Sequence, residues 1–225
     1  MGRHKPADLL RTRIADPTAS RSLAGRARAR RWSLFTSYFP ELENMTVLDL
    51  GGAPSTWMHL ADHPAAVVIV NTDAQPQTSL AWLTTVVGDA CALPQTVSGR
   101  HFDIVYSNSV IEHVGGYHQR RQFSESVHQA ATRHWVQTPY RYFPVEPHWL
   151  FPFFQFLTPR ARASIARRWR LAHEYDPHRS ADESLDWVLS VELLSKYEFQ
   201  YLFSASKIVF ERFAALPKSM IAVGR

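Results

Sequence analysis

One cysteine, Cys91, is the whole thiol inventory of this 225-residue chain. A lone thiol closes no internal disulfide and there is no CxxC pair, so stability has to come from packing. The expected setting is the reducing cytoplasm. Metal chemistry is equally thin: HExxH is absent, and His59, His63, His101, His118 and His128 lack ligand spacing, so no metal is expected. Only nine glycines occur, which excludes collagen-like repeats, and no repeat period is visible. No apolar run approaches the ~20 residues needed to span a bilayer, and the N-terminus lacks the apolar core of a secretory signal. The chain therefore reads as soluble, or peripheral at a membrane at most. Without an export signal the glycosylation pattern Asn44-Met45-Thr46 carries no weight.

What is present suits a globular domain. Apolar residues make up 45%, aromatics 12% and charged residues 20%, and a chain of this size buries roughly 70% of its unfolded surface. The net charge of +5 is uneven. Arg11, Arg13, Arg21, Arg26, Arg28, Arg30 and Arg31 face only Asp8 and Asp16, and Arg160, Arg162, Arg167, Arg168 and Arg170 have no acid among them. Solvated helix faces account for such runs, and so would an anionic partner.

From Met45 onward, short β-branched runs alternate with helical patterns, the signature of a parallel sheet with crossovers. Strands are expected at 45–50, 66–71, 85–87, 102–107 and 134–137. Runs such as Val67-Val68-Ile69-Val70 call for burial on both faces, hence helices on each side. Helices are expected over 117–133, after Thr158-Pro159 as N-cap and first-turn proline, and after the capping box Ser195–Glu198. Two final strands begin near 206 and 218, joined through Pro217 and its neighbours, and so short a link makes them antiparallel. The fold class is α/β: a Rossmann-like mixed sheet of about seven strands, mostly parallel, ending in an antiparallel hairpin. A basic arm or helix, 1–31, precedes a single domain, 32–225, with a substrate-side insertion at about 139–190.

Four clusters sit at predicted strand ends. The segment 47–55, VLDLGGAPS, places Asp49 at the end of the first strand and Gly51 and Gly52 in the turn after it, and the next helix would offer free N–H groups. A plain tight turn would look the same. Asn71 and Asp73 end the second strand, where either one can hold ribose hydroxyls. Asp89 and Ala90, in GDACALP, end the third, with a carboxylate suited to an adenine amino group. Ser107, Asn108 and Ser109, then Glu112-His113, end the fourth. Ligands of open α/β sheets bind outside the carboxyl ends of the strands, so the four clusters are expected to converge on one crevice.

Ordered in this way, the clusters resemble the class I S-adenosylmethionine-dependent methyltransferases, in the branch called methyltransferase type 11, over roughly Arg30 to the C-terminus. The resemblance implies S-adenosyl-L-methionine as cofactor. It also implies Asp49 and Gly51 beside its methionine part, Asp89 at the adenine, and Asn108 and Ser109 closing the pocket near the sulfonium, with Gly52 and Ala90 as further cofactor-binding residues. Ala53, Pro54 and Ser55 depart from the family's G-x-G-x-G loop, and Pro54 removes an N–H donor.

The family likeness continues in QTPYRYFPVEPHWLFPFFQFL, 137–157, similar to a T-P-N-R-[YW]-F-P-I-E-P-H segment after the fifth strand, with Tyr140 where Asn is usual. A hydroxyl acceptor needs a base, and His148 is the candidate, with Glu146 orienting it. Glu112-His113 is the runner-up pair, also readable as the cap and first turn of a helix. The aromatic run Trp149–Leu157 reads as core, dimer interface, an apolar lid over an aromatic or lipid-linked substrate, or an interfacial anchor. The expected reaction is methyl transfer to an oxygen of a small or lipid-linked molecule, such as a sugar hydroxyl. An RNA methyltransferase and a non-catalytic cofactor-binding protein are the alternatives, although SNSV stands where an N-P-P-Y-like segment would favour base-amino methylation.

Overall fold

The computed structural model describes residues 23–225. The arginines expected in the N-terminal arm at 11, 13 and 21 lie outside the described residues. The chain divides into two compact units, one of Glu41–Phe143 with Val191–Arg225, the other of 23–40 with Pro144–Ser190.

The first unit is built on strands β1 (Thr46–Leu50), β2 (Ala66–Asn71), β3 (Leu83–Val87), β4 (Ile104–Asn108) and β5 (Arg133–Pro139), and on the C-terminal pair β8 (Lys207–Phe213) and β9 (Leu216–Gly224). Their order is β3-β2-β1-β4-β5-β9-β8, with parallel pairs as far as β5 and antiparallel pairs β5–β9 and β9–β8. The β-branched runs become central strands because both faces have to be covered. Leu48, Leu50, Val68, Val70, Val105 and Val136 join one core with Phe123 and Val127 of helix α2 (Tyr117–Ala130) and Phe199 and Leu202 of helix α5 (Lys196–Leu202). The alternating residues Val47, Ile69, Ile104 and Trp135 are fully buried as well. At α5 both halves of the capping box form: Glu198 N–H donates to Ser195 Oγ, and Ser195 N–H to the Glu198 carboxylate.

Two local expectations change. No α-helix follows the glycine loop; the chain makes one 3₁₀ turn, Pro54–Thr56, and Trp57 N–H closes on the Pro54 carbonyl. Proline opens that turn, and the stretch up to Pro64 is too short and too broken to extend it. The last hairpin turns at Ala214-Ala215, both at positive φ (46° and 68°), and Pro217 lies inside β9 beside a register irregularity. Two left-handed residues fit the twist of a tight hairpin, but neither is the Gly or Asn that announces one.

His134 on β5 pairs with Gly224 on β9, and a Cβ at Gly224 would lie 2.3 Å from the imidazole. The ring therefore rests on the glycine. Burial, and then the neighbouring His128, push its pKa down to about 4, and Nε2 lies 2.7 Å from Ser206 Oγ.

The second unit holds helix α1 (Leu23–Tyr38), the short hairpin β6 (Val145–Glu146) and β7 (Phe151–Pro152), a 3₁₀ turn at Phe154–Phe156, and helices α3 (Pro159–Ala166) and α4 (Ala181–Leu189). Thr158 caps α3 through the Ala161 N–H, with Pro159 at the first position. The aromatic run splits: Trp149 and Phe154 are buried and stacked at 4.6 Å, and Trp169 donates its indole N–H to the Trp149 carbonyl at 2.7 Å. No helix among the described residues is long and apolar enough to cross a membrane.

Candidate active site

The parallel register brings the carboxyl ends of β3, β2, β1 and β4 side by side on one rim. Cross-links tie that rim together. Gly51 N–H donates to the Val70 carbonyl (2.7 Å), Gly88 N–H to the Asn71 carbonyl (2.9 Å), and Ser107 Oγ to the Leu50 carbonyl (2.9 Å). All four sequence clusters thus stand along a single edge.

The glycine loop is tight for reasons internal to the protein. Gly51 has φ +78°, and a Cβ there would press into Val110 at 2.5 Å. A Cβ on Gly52 would fall 1.8 Å from the Asp49 carboxylate. The sequence reads these glycines as room for a ligand; in the fold that room is taken by Val110 and Asp49. What the loop offers outward is backbone. Neither Gly52 nor Ala53 gives its N–H to another described residue, and both residues are half-buried. Two unspent donors at the end of a central strand make a cradle for an anionic group such as the carboxylate of a bound amino acid.

Asp49 lies beneath that loop and is 1% exposed. Trp57 donates its indole N–H to Oδ2 at 2.7 Å, while Oδ1 is buried without a hydrogen-bond partner. Burial raises the carboxyl pKa to about 7, against the lowering effect of the indole. The Trp57 ring stands edge-on to Tyr106, the register partner of Asp49 on β4. Trp57 escaped the sequence reading, because nothing in its neighbours signals that a 3₁₀ turn aims the indole at a carboxylate eight residues earlier.

The polar ends of β2 and β3 divide the labour. Asn71 spends its amide on the loop: Nδ2 donates to the Gly52 carbonyl (2.9 Å) and the Gly51 carbonyl (3.2 Å), and Oδ1 accepts from Asp73 N–H (3.0 Å). It braces the turn, and Asp73 beside it is exposed. Asp89 is exposed too, with Oδ1 accepting from Cys91 N–H at 2.8 Å, and Ala90 after it is buried. On β4, Asn108 pairs in register with Gln137. Ser109 follows at φ 58°, with its N–H on the Gln137 carbonyl and its hydroxyl on Gln137 Oε1 (3.0 Å). Gln137, fully buried, is a second residue the sequence did not announce.

No family model and no curated protein matches the chain. Solved structures do. The magnesium protoporphyrin IX methyltransferase ChlM of Synechocystis PCC 6803, with bound S-adenosylmethionine, is similar at a TM-score of 0.54 and 12% identity over 100% of this chain and 86% of its own. The N-methyltransferase NodS of Bradyrhizobium japonicum WM9 is similar at 0.53 and 11%, over 89% of this chain and 96% of its own. The chain has the class I methyltransferase fold. A Rhodobacter sphaeroides protein named as a Zn-dependent alcohol dehydrogenase is similar to the same degree, at 0.53 and 13% over 86% of this chain and 87% of its own. At such identity likeness speaks for the fold, and chemistry has to be argued from side chains.

In the methyltransferase fold of this chain the two base candidates are built differently. Glu112, 1% exposed, accepts from Thr138 Oγ1 at 2.9 Å, and its carbonyl accepts from Glu192 N–H. The Glu112-His113 pair precedes α2, whose N-cap is Gly116, so it is neither the cap nor the first turn of that helix. Glu146, also 1% exposed, organises the β6–β7 connection: Oε2 accepts from the N–H groups of His148 (2.7 Å) and Trp149 (2.9 Å), and Oε1 lies 2.7 Å from His148 Nδ1. The imidazole itself is half-buried. A buried carboxylate on Nδ1 fixes both ring orientation and tautomer and makes Nε2 the basic nitrogen.

Proposed function

We propose that this protein transfers the methyl group of S-adenosyl-L-methionine to an oxygen of a small or lipid-linked acceptor, with His148 as general base. The observation that carries the reading is the rim at the carboxyl ends of β1, β2 and β3: two unspent N–H groups at Gly52 and Ala53, an exposed carboxylate at Asp73 and another at Asp89, in strand order. Those residues fit the cofactor. Gly52 and Ala53 hold its carboxylate, Asp73 its ribose and Asp89 with Ala90 its adenine, while Gly51, Asp49 and Asn71 keep the loop in shape. Asn108 and Ser109 border the methyl-donor end.

When bound, S-adenosylmethionine supplies an electrophilic methyl on a sulfonium. The protein supplies alignment and proton removal. Glu146 holds Nδ1–H, His148 Nε2 takes the acceptor hydroxyl proton as oxygen attacks, and the resulting imidazolium is stabilised by the carboxylate 2.7 Å away. Residues 139–190, which hold this pair, serve as the substrate-side insertion.

Equilibrium dialysis with radiolabelled cofactor, then incubation with fractionated small-molecule, lipid and RNA extracts, tests the reading. Binding is expected together with label in a small-molecule or lipid fraction. Binding without label in any fraction refutes the enzymatic reading, and label in RNA alone replaces the acceptor. His148→Ala is expected to lower kcat by about 10² to 10⁴ and leave cofactor affinity within about twofold.

A further inference from the structure

The two compact units differ in charge. Residues 23–40 and Pro144–Ser190 hold ten Lys and Arg against six Asp and Glu, and the rest of the described chain holds ten against twelve. The excess itself lies in residues 23–40, with four Arg and no acid; Pro144–Ser190 balances six Arg against six Asp and Glu, but separates them along the chain, so that its arginines gather in one stretch. Between residues 157 and 173 the only Lys, Arg, Asp or Glu are Arg160, Arg162, Arg167, Arg168 and Arg170.

Arg160, Ser164, Arg167 and Arg168 recur at helical spacing on the exposed side of α3 and the turn after it, while Ala163 and Ala166 are buried on the other. Arg168 donates Nη1 to the Ser164 carbonyl and hydroxyl at 3.2 and 2.9 Å, so its guanidinium lies along that stripe.

Just ahead of the stripe, the chain exposes aromatic surface that it has the means to hide. Phe154 is buried against Trp149, yet Phe153 is 57% and Phe156 50% exposed on either side of it. Phe153 takes the left-handed backbone conformation, φ 57°, which glycine adopts without strain and a residue with a Cβ does not. Neither burial nor backbone comfort explains phenylalanine there. A surface that takes up both apolar rings and positive charge explains it.

We propose that Phe153 and Phe156, with the arginine stripe of α3 that follows them in the chain, dock this protein on an anionic lipid bilayer. The rings enter the boundary between headgroups and acyl chains, and the guanidinium groups pair with lipid phosphates. The inference stands on this unit alone and is independent of the methyl-transfer reading.

The test is co-sedimentation of the full chain with vesicles of phosphatidylcholine alone and of an equimolar mixture with phosphatidylglycerol. Binding is expected to the mixed vesicles only, and release at about 0.5 M salt, where the Debye length shrinks to a few ångström. Phe153→Gly with Phe156→Ser removes the rings while easing the left-handed backbone, and is expected to weaken partitioning at least about tenfold. Arg160→Glu with Arg167→Glu and Arg168→Glu is expected to weaken it about a hundredfold. Unchanged circular dichroism melts keep both variants interpretable. Equal binding to neutral vesicles, binding to neither composition, or unaltered binding by the variants overturns the proposal. So does an arginine variant that loses affinity for RNA while keeping its affinity for vesicles.

Discussion

Asp49 and His134 give the folded protein two proton anomalies of opposite sign. The Asp49 carboxyl is raised from the usual 3.8 to about 7 by burial. Between those pH values the native state keeps a proton that the unfolded chain has released, so stability falls as pH rises. The slope is about 1.4 kcal/mol per pH unit for one proton, or about 4 kcal/mol over the window. His134 is lowered from 6.5 to about 4. Over that interval the unfolded chain binds the proton instead, and stability climbs with pH by about 3 kcal/mol in all. From pH 4 to 6.5 the two slopes cancel, and each is uncovered by removing the other. Asp49→Asn keeps an acceptor for the Trp57 indole and deletes the titration, so its stability relative to wild type is expected to rise by about 4 kcal/mol between pH 4 and 7. His134→Gln is expected to gain about 3 kcal/mol relative to wild type as pH falls from 6.5 to 4. Urea unfolding followed by tryptophan fluorescence and circular dichroism at half-unit pH steps gives both difference curves directly. A flat difference curve for Asp49→Asn across pH 4 to 7 would refute the buried, unpartnered carboxyl as the source.

Two further outcomes are expected. Gly52→Ala sets a Cβ 1.8 Å from the Asp49 carboxylate and should cost on the order of 3 kcal/mol in chemical denaturation, part of it recovered in the double variant with Asp49→Ala, because the three atoms nearest that Cβ all belong to Asp49. Ala215→Gly, at φ 68° in the β8–β9 turn, should raise the melting temperature by a few degrees in calorimetry, since the left-handed conformation costs alanine about 1 kcal/mol that glycine avoids.

How far the residues speak for themselves varies along the chain. The 66–71 strand is legible to the residue, because an unbroken β-branched run fits only a strand buried on both faces. The caps at Thr158 and Ser195 are equally plain, since each is a local pattern whose hydrogen bonds close within three residues. The Ala214-Ala215 turn is hidden, because two alanines adopt left-handed angles only when paired strands hold them there. The aromatic run Trp149–Leu157 is readable as a cluster but not as a division of labour: only packing decides that Trp149 and Phe154 go inside and Phe153 and Phe156 outside.

The site shows the same split. The strand-end positions of Asp49, Asn71, Asp73, Asp89 and Asn108 follow from sequence, because alternating β and α patterns fix where each strand stops, and a parallel sheet turns those stops into one edge. What each side chain does there was decided by the tertiary structure alone. Asn71 braces two loop carbonyls and leaves Asp73 exposed, Gly52 gives way to a carboxylate of its own chain, and Trp57 turns its indole onto Asp49. Local patterns act over a few residues, whereas a hydrogen bond between positions twenty apart exists only after the strands that carry them have paired.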